Sequence, residues 1–448
     1  MTKAEIIDRV EAMRLENLAL TGLPDTVSLS DYSYLSHDGI WTAALQLALD
    51  EHQVVIIPAR DEPYLIDDTI VIPSDRSIRA GGAVLRLTPE CDVIMLRNSS
   101  TADGTHRPIA AKPDSNISII GGRFEESRTK RGGYGTSGKY DKERSFYGVS
   151  TLFFFNNIEH LTLIDVAFAH TAGFALQTGD AKALVFEHIR FEDCYADGLH
   201  INGNTSDILC RDIKGQVGDD LVALNVYDWQ NSSVDFGPMR YVLCDGLELS
   251  SGSRYEALRI EPGRYFYDDG SIAECSLSGA VIRNVRGIKT FKLYYQTPRY
   301  RIGRAPERGM VGRLDDIYFE DIEIDLDSPI DRFPEYMDSD PVRGRFAAFE
   351  FGADAGRISF EDIKLTLHEE FPLSTLVLVG PKSVRIGDFE IFDPYVSCTV
   401  DELVFNNITI NGRQTESGLC ATNDFNDINS DGNSTGRGRI ISVTTGSK

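Results

Sequence analysis

The sequence predicts an all-β protein, a single-stranded right-handed parallel β-helix with an N-terminal capping helix, and three observations carry that expectation. Apolar residues alternate with a period of two in stretches rich in β-branched and aromatic types, which is strand patterning and not helix patterning. These stretches share one form: LTLIDVAF (161–168), LVFEHIRF (184–191), ILCRDIKG (208–215), VLCDGLEL (242–249), AVIRNVRG (280–287), IYFEDIEI (317–324), ISFEDIKL (358–365), VRIGDFEI (384–391) and LVFNNITI (403–410). They recur in steps of 23 and then 24 residues from Leu163 to Phe186 to Cys210, with longer and irregular steps later. A fixed period of this size marks a solenoid, and longer intervals mark loops inserted at its corners.

The elements follow in chain order. In MTKAEIIDRVEAMRLENLAL, the residues Ile6, Val10 and Met13 fall at helical spacing. This predicts an amphipathic helix over 3–20 that covers the open end of the solenoid, where strand groups and core would otherwise be bare. TAALQLALDEH (42–52) is a second candidate cap. Within each repeat a polar pair such as ED, RD, DG, RN or NN suits a tight turn, because Asn, Asp and Gly tolerate left-handed backbone angles. The Gly-rich and basic stretch 127–148 lacks a GxxxxGK[ST] pattern and reads as a loop walling a groove, completed by a neighbouring subunit if the chain forms a dimer or trimer. Beyond Gly412 the sequence is poor in apolar residues and rich in Asn, Asp, Ser and Gly. The expected organisation is therefore a helix and lead-in over 1–35, a β-helix over 36–410 and a polar tail over 411–448.

Charge and cysteine usage exclude several functions. A formal net charge of -24 argues against nucleic acid or an anionic membrane surface as partner. No stretch approaches the roughly 18 apolar residues of a membrane span. The first 20 residues lack the apolar core and small-residue cleavage site of a signal peptide, which implies a cytoplasmic protein if the chain begins there. Seven cysteines without CxxC spacing agree with a reducing compartment. Cys210 and Cys244 occupy the slot held elsewhere by Phe186, Ile282, Phe319, Phe360 and Phe405, so they read as core residues. No set of three or four converging ligands is predicted, and NDFNDINSDGN (423–433) lacks the spacing and terminal Glu of a calcium loop; neither metal nor cofactor is expected.

The chemistry-bearing residues lie on two turns. ADG (196–198) and GDDLVALN (218–225) each precede a strand, one repeat apart. Successive coils of a parallel sheet stack about 4.8 Å apart, so carboxylates on equivalent turns lie within several ångströms of each other. Glycoside hydrolysis needs two flanking carboxyls, and crowding supplies the split in pKa between acid and base. Together with ALRIEPG (257–263), these motifs resemble those of the polygalacturonase-like glycoside hydrolases of family 28, in the pectin-lyase-like β-helix superfamily. ADG is similar to the family's NTDG, GDDLVALN to its GDD-containing strand, and ALRIEPG to its RIK motif. The segment from His37 to Leu87 resembles the entry segment of many β-helix carbohydrate enzymes.

The resemblance implies that Asp219 is the general acid and that Asp197 and Asp220 activate water, with inversion of configuration. It also implies that Arg259 contacts the sugar. The family's GHG motif is absent, and Glu261 stands where its carboxylate-binding Lys belongs. A Glu there would repel a uronate by about 1 kcal/mol or more, so a neutral or amino-sugar oligosaccharide or glycoside is the expected substrate. His200, Asn225 and Asp228 are candidate substrate contacts beside the acids. Trp229 and Tyr294 are candidate sugar platforms, since sugar C–H faces pack on aromatic rings. Two other functions use such folds: a uronate-polymer lyase or epimerase, and a non-catalytic carbohydrate-binding β-helix.

Overall fold

A computed structural model describes residues 1–89, 91, 93–101, 112–126, 151–228, 233–253, 256–294, 312–326, 347–368, 375–380, 385–386, 389–390, 398–422 and 438–446. Within them the fold is the predicted right-handed parallel β-helix. Twenty-eight strands join in one continuous sheet. Its pairs are parallel except where the Cys398–Ile410 strand turns back on Arg413–Gln414. One side of the solenoid stacks the strands Leu96–Asn98, Thr151–Ile164, Phe174–Glu187, Leu199–Asn202, Val222–Asn225, Ala257–Ile260, Thr290–Tyr294, Ala347–Gly352 and Thr375–Val379. This is the side that carries the two Asp-bearing turns.

The corners depend on residues that accept left-handed angles. Asp165, His188, Asp212, Gly246, Asn284, Asp321, Asp362 and Asn407 all have φ between 48° and 83°. The strand registers around them place these eight in one column along the axis. They are the polar pairs of the sequence repeat, and each turns the chain by a single residue. Side-chain amides bridge successive coils there, as where Asn407 donates to Asp362 Oδ1 at 2.5 Å.

The core is a set of in-register stacks. Phe186, Cys210, Cys244, Ile282, Phe319, Phe360 and Phe405 pair in order, all buried, and the last three rings stack at 5.4 and 5.1 Å. Each such Phe contributes about 1.5–3 kcal/mol through burial. Cys210 and Cys244 are free thiols inside this column, as the sequence predicts.

The two candidate caps have different places. The helix α2 (Thr42–Glu51) caps the first coils, with Ala44, Leu45, Ala48 and Leu49 in the main core. The helix α1 (Lys3–Leu20) does not cap an end: it lies along the flank, perpendicular to the strands. Its Ile6, Val10 and Met13 pack on Val185, Leu209, Leu243 and Val281, one from each of four successive coils. Outward-facing apolar residues at those sheet positions gave it a surface to cover. Ion pairs fasten it, from Arg14 to Glu187 at 2.9 Å and from Lys3 to Glu320 and Glu361 at 3.0 and 2.8 Å. Downstream of residue 411, Cys420–Thr422 pairs with Thr375–Val379 and Gly438–Gly446 with Cys398–Ile410, so the polar tail itself adds strands to the solenoid.

Replacing Phe360, sandwiched between Phe319 and Phe405, removes a ring from the middle of the stack. Phe360→Ala is expected to destabilise the protein by about 3–5 kcal/mol, measured as a lower denaturation midpoint in guanidinium chloride.

Candidate active site

Two glycines set the turns close enough to share chemistry. A Cβ on Gly218 would lie 1.8 Å from the Tyr195 carbonyl oxygen, and one on Gly198 would lie 2.7 Å from the Leu221 carbonyl oxygen. Only hydrogen fits at either point. The turns then stack by backbone hydrogen bonds: Gly198 N–H donates to Asp220 O at 3.0 Å, and Gly218 N–H to Ala196 O at 3.3 Å. Register pairs Leu199 with Val222 and His200 with Ala223, so Asp197 and Asp220 are coil equivalents, 23 residues apart.

The structure brings Asp197, Asp219 and Asp220 together, with one oxygen from each within 4.8 Å of the others. Asp197 Oδ1 accepts the Asp220 backbone N–H at 3.1 Å, and its Oδ2 lies 2.6 Å from His200 Nδ1. Asp219 keeps a side chain 17% exposed to solvent, whereas Asp220 is fully buried. Among the described residues neither oxygen of Asp220 has a hydrogen-bond partner; Arg259 Nε stands 3.2 Å from Oδ2. Another nitrogen of the same guanidinium is 3.6 Å from Asp219 Oδ1.

Ionisation follows from these surroundings. Burial, and then the charge of Asp197, pushes Asp219 up to about 7, against the pull of Arg259, Lys292 and His200. Burial also holds Asp220 well above the usual carboxylate range, against Arg259. For His200, burial opposes the charged form, but contacts with Asp197 and Asp228 overcome it and push the imidazole up to about 9. The trio thus contains a partly exposed carboxyl that exchanges its proton near neutrality. The three acids are also close enough to ligate a cation, though Arg259 already sets positive charge against two of them.

Other predicted contacts take different roles. His200, Asn225 and Asp228 are buried. His200 Nε2 lies 3.1 Å from Asp228 Oδ2, and Asn225 Nδ2 donates to the same oxygen at 3.3 Å. Phe174 stacks on the His200 ring at 4.0 Å. Glu261 is fully buried. Its backbone pairs with Leu224 and Tyr227. Arg259 leads back to the acids. Tyr294 ends the Thr290–Tyr294 strand, and Trp229 lies outside the described residues, as do the loop 127–148 and the segment 423–433.

One residue that sequence reasoning passed over is Lys292. It pairs in register with Arg259 on the next coil, is buried, and acts on both Asp219 and Asp220. The signal was present, because LRI (258–260) and FKL (291–293) are both apolar–basic–apolar. Next to them, Gly263–Phe266 and Ile272–Cys275 form an antiparallel hairpin, in which Tyr265 stacks on Phe236 at 3.9 Å and Phe266 is exposed.

No family model matches the chain, and no curated protein matches it. Among solved structures it is similar to the hyperthermoactive exopolygalacturonase of Thermotoga maritima, with 12% identity, 91% of this chain and 97% of that chain covered, and a TM-score of 0.51. It also aligns with a tailspike protein of E. coli bacteriophage HK620, at 11% identity over 86% of this chain and 61% of that one, with a TM-score of 0.49. The A-module of a mannuronan C-5 epimerase from Azotobacter vinelandii aligns at 10% identity over 95% and 99%, with a TM-score of 0.41. At these identities the likeness is one of fold, the right-handed parallel β-helix.

Because Asp219 binds a proton more tightly folded than unfolded, the folded state holds the extra proton between about pH 4 and 7. Stability therefore falls as pH rises through that window. Asp219→Asn is expected to flatten this fall, measured by comparing denaturation midpoints of the two proteins at pH 4.5 and pH 8.

Proposed function

We propose that the protein is a glycoside hydrolase that cleaves a glycosidic bond in a neutral or amino-sugar oligosaccharide. The observation that carries this reading is the convergence of Asp219, a partly exposed carboxyl, with Asp197 within 4.8 Å, in surroundings that raise the pKa of Asp219. A carboxyl protonated near neutrality can donate to a departing glycosidic oxygen, while an ionised neighbour activates water or stabilises the oxocarbenium centre. In this assignment Asp219 is the general acid. Asp197, held by the Asp220 N–H and by His200, is the carboxylate partner. Asp220, buried and held well above the usual range, does not serve as the second base; with Arg259 it shapes the charge around Asp219.

Arg259 supports a substrate without a carboxylate, because its guanidinium already faces two acids. Lys292, in register beside Arg259, favours a second reading in which the sugar is a uronate. A lyase or epimerase would use such a cation to stabilise charge at the sugar carboxylate.

Spacing bears on stereochemistry. Oxygens within 4.8 Å are short of the roughly 6.5–9.5 Å of inverting pairs and nearer the roughly 5–5.5 Å of retaining ones. The expectation of inversion thus draws no support from distance.

The test is a screen of aryl glycosides, neutral and amino-sugar oligosaccharides, and a uronate panel, with the first product anomer read by NMR. On the substrate that is cleaved, Asp219→Asn is expected to lower kcat by about 10²–10⁴-fold. Unchanged turnover in that variant would overturn the assignment. Elimination or epimerisation on the uronate panel, without hydrolysis elsewhere, would establish the second reading.

A further inference from the structure

Resting on the assignment of Asp197 as the carboxylate partner, we propose that His200 is a positioning residue, clamped between Asp197 and Asp228, that locks Asp197 in its working orientation. Geometry carries the inference. The imidazole is 1% exposed and touches one carboxylate through each nitrogen, Asp197 Oδ2 at 2.6 Å and Asp228 Oδ2 at 3.1 Å. Phe174 lies 4.0 Å above the ring at an interplanar angle of 19°, which fixes its plane. Asn225 holds the far carboxylate by donating to the Asp228 oxygen at 3.3 Å. Asp228 thus meets the ring at one nitrogen while Asp197 meets it at the other.

The described elements around His200 bring charged and polar groups near it. Asp197 comes from the turn before its own strand, and Asp219 and Asp220 from the turn one coil on. Asp228 comes from the loop after Val222–Asn225, while Arg259 and Lys292 stand on the two coils beyond. On the preceding coil the register partner is the neutral Gln177, which donates to Asn202 Oδ1 at 2.8 Å. Asn202 Nδ2 in turn lies 3.3 Å from His200 Nε2 and donates to the Asn225 carbonyl at 3.2 Å. The nearer partner of Nε2 is therefore a carboxylate, and an imidazolium donating from both nitrogens satisfies both acids. A ring so bound cannot rotate, and neither can Asp197, whose other oxygen accepts the Asp220 N–H. What this supplies is a carboxylate fixed in direction before substrate arrives, which is where orientation contributes to rate.

Two measurements test it, one of which needs no substrate. In full-length protein labelled with ¹⁵N-histidine, with the His200 signal assigned by its loss in His200→Gln, both ring nitrogens are expected to be protonated at pH 7. The ring is expected to titrate near 9, and Asp228→Asn to lower that midpoint by about one pH unit or more. A ring that is neutral at pH 7, with Nε2 accepting from Asn202, or a midpoint that Asp228→Asn leaves in place, would overturn the clamp. With the glycoside cleaved in the screen above, His200→Gln is expected to lower kcat about 100-fold with KM changed less than about threefold. Asp228→Asn is expected to lower kcat about tenfold, and the double variant to match His200→Gln, since the two act through one contact. Multiplicative losses, or losses in KM with kcat intact, would overturn it. If no sugar in the screen is cleaved, the hydrolase reading fails while the ¹⁵N titration still decides whether the clamp exists.

Discussion

The structure depends on register. In a parallel β-helix each residue stands over its equivalent one coil away, so whatever the sequence places at one position becomes a column along the axis. Apolar side chains become a core of stacked rings, and left-handed Asp and Asn become corners. Acids on turns become a cluster of charge that no isolated strand could hold. Close backbone contact between the two turns, through Gly198 and Gly218, is what converts a sequence offset of 23 residues into three carboxyls within 4.8 Å. Crowding acids this way is unfavourable for the ionised forms, and the site answers with cations placed by the same register, Arg259 and then Lys292.

Balance between those charges gives the site its asymmetry. Asp197 is met by an imidazole and a backbone N–H, Asp220 by burial and a guanidinium, and Asp219 in part by solvent. One kind of side chain thus stands in three different surroundings. The glycosidase reading is an argument from that difference more than from the fold, since β-helices host several chemistries.

Much of this was legible in the sequence, and the part that was not has a physical reason. Period-two alternation with Asp and Asn at fixed points gave the coil, and the left-handed column at Asp212, Asn284, Asp321, Asp362 and Asn407 falls on those points. Cys210 and Cys244 were placed in the core by the slot they share with phenylalanines. The acids were legible because their offset equals one coil. Asp228 was legible as a candidate beside the acids, but its contact with His200 was not, because that contact follows the path of a loop and not register. The burial of Glu261 was hidden as well, since nothing in the local pattern ALRIEPG tells that its side chain is enclosed. The flank position of α1 was hidden for a related reason: an amphipathic helix shows that it has an apolar face, not which apolar surface it covers.

That flank position has a consequence for how the molecule is made. Residues of α1 are bound by partners from Leu161 to Glu361, all later in the chain, so α1 has nowhere to dock until most of those coils have been synthesised and wound. Coils can form one upon another as the chain emerges, each needing only its predecessor. The helix is then secured after coils that follow it in sequence, and it closes across them once they are in place. Such a strap ties distant repeats into one cooperative unit, so that fraying which would otherwise stop at one coil boundary must also detach the helix.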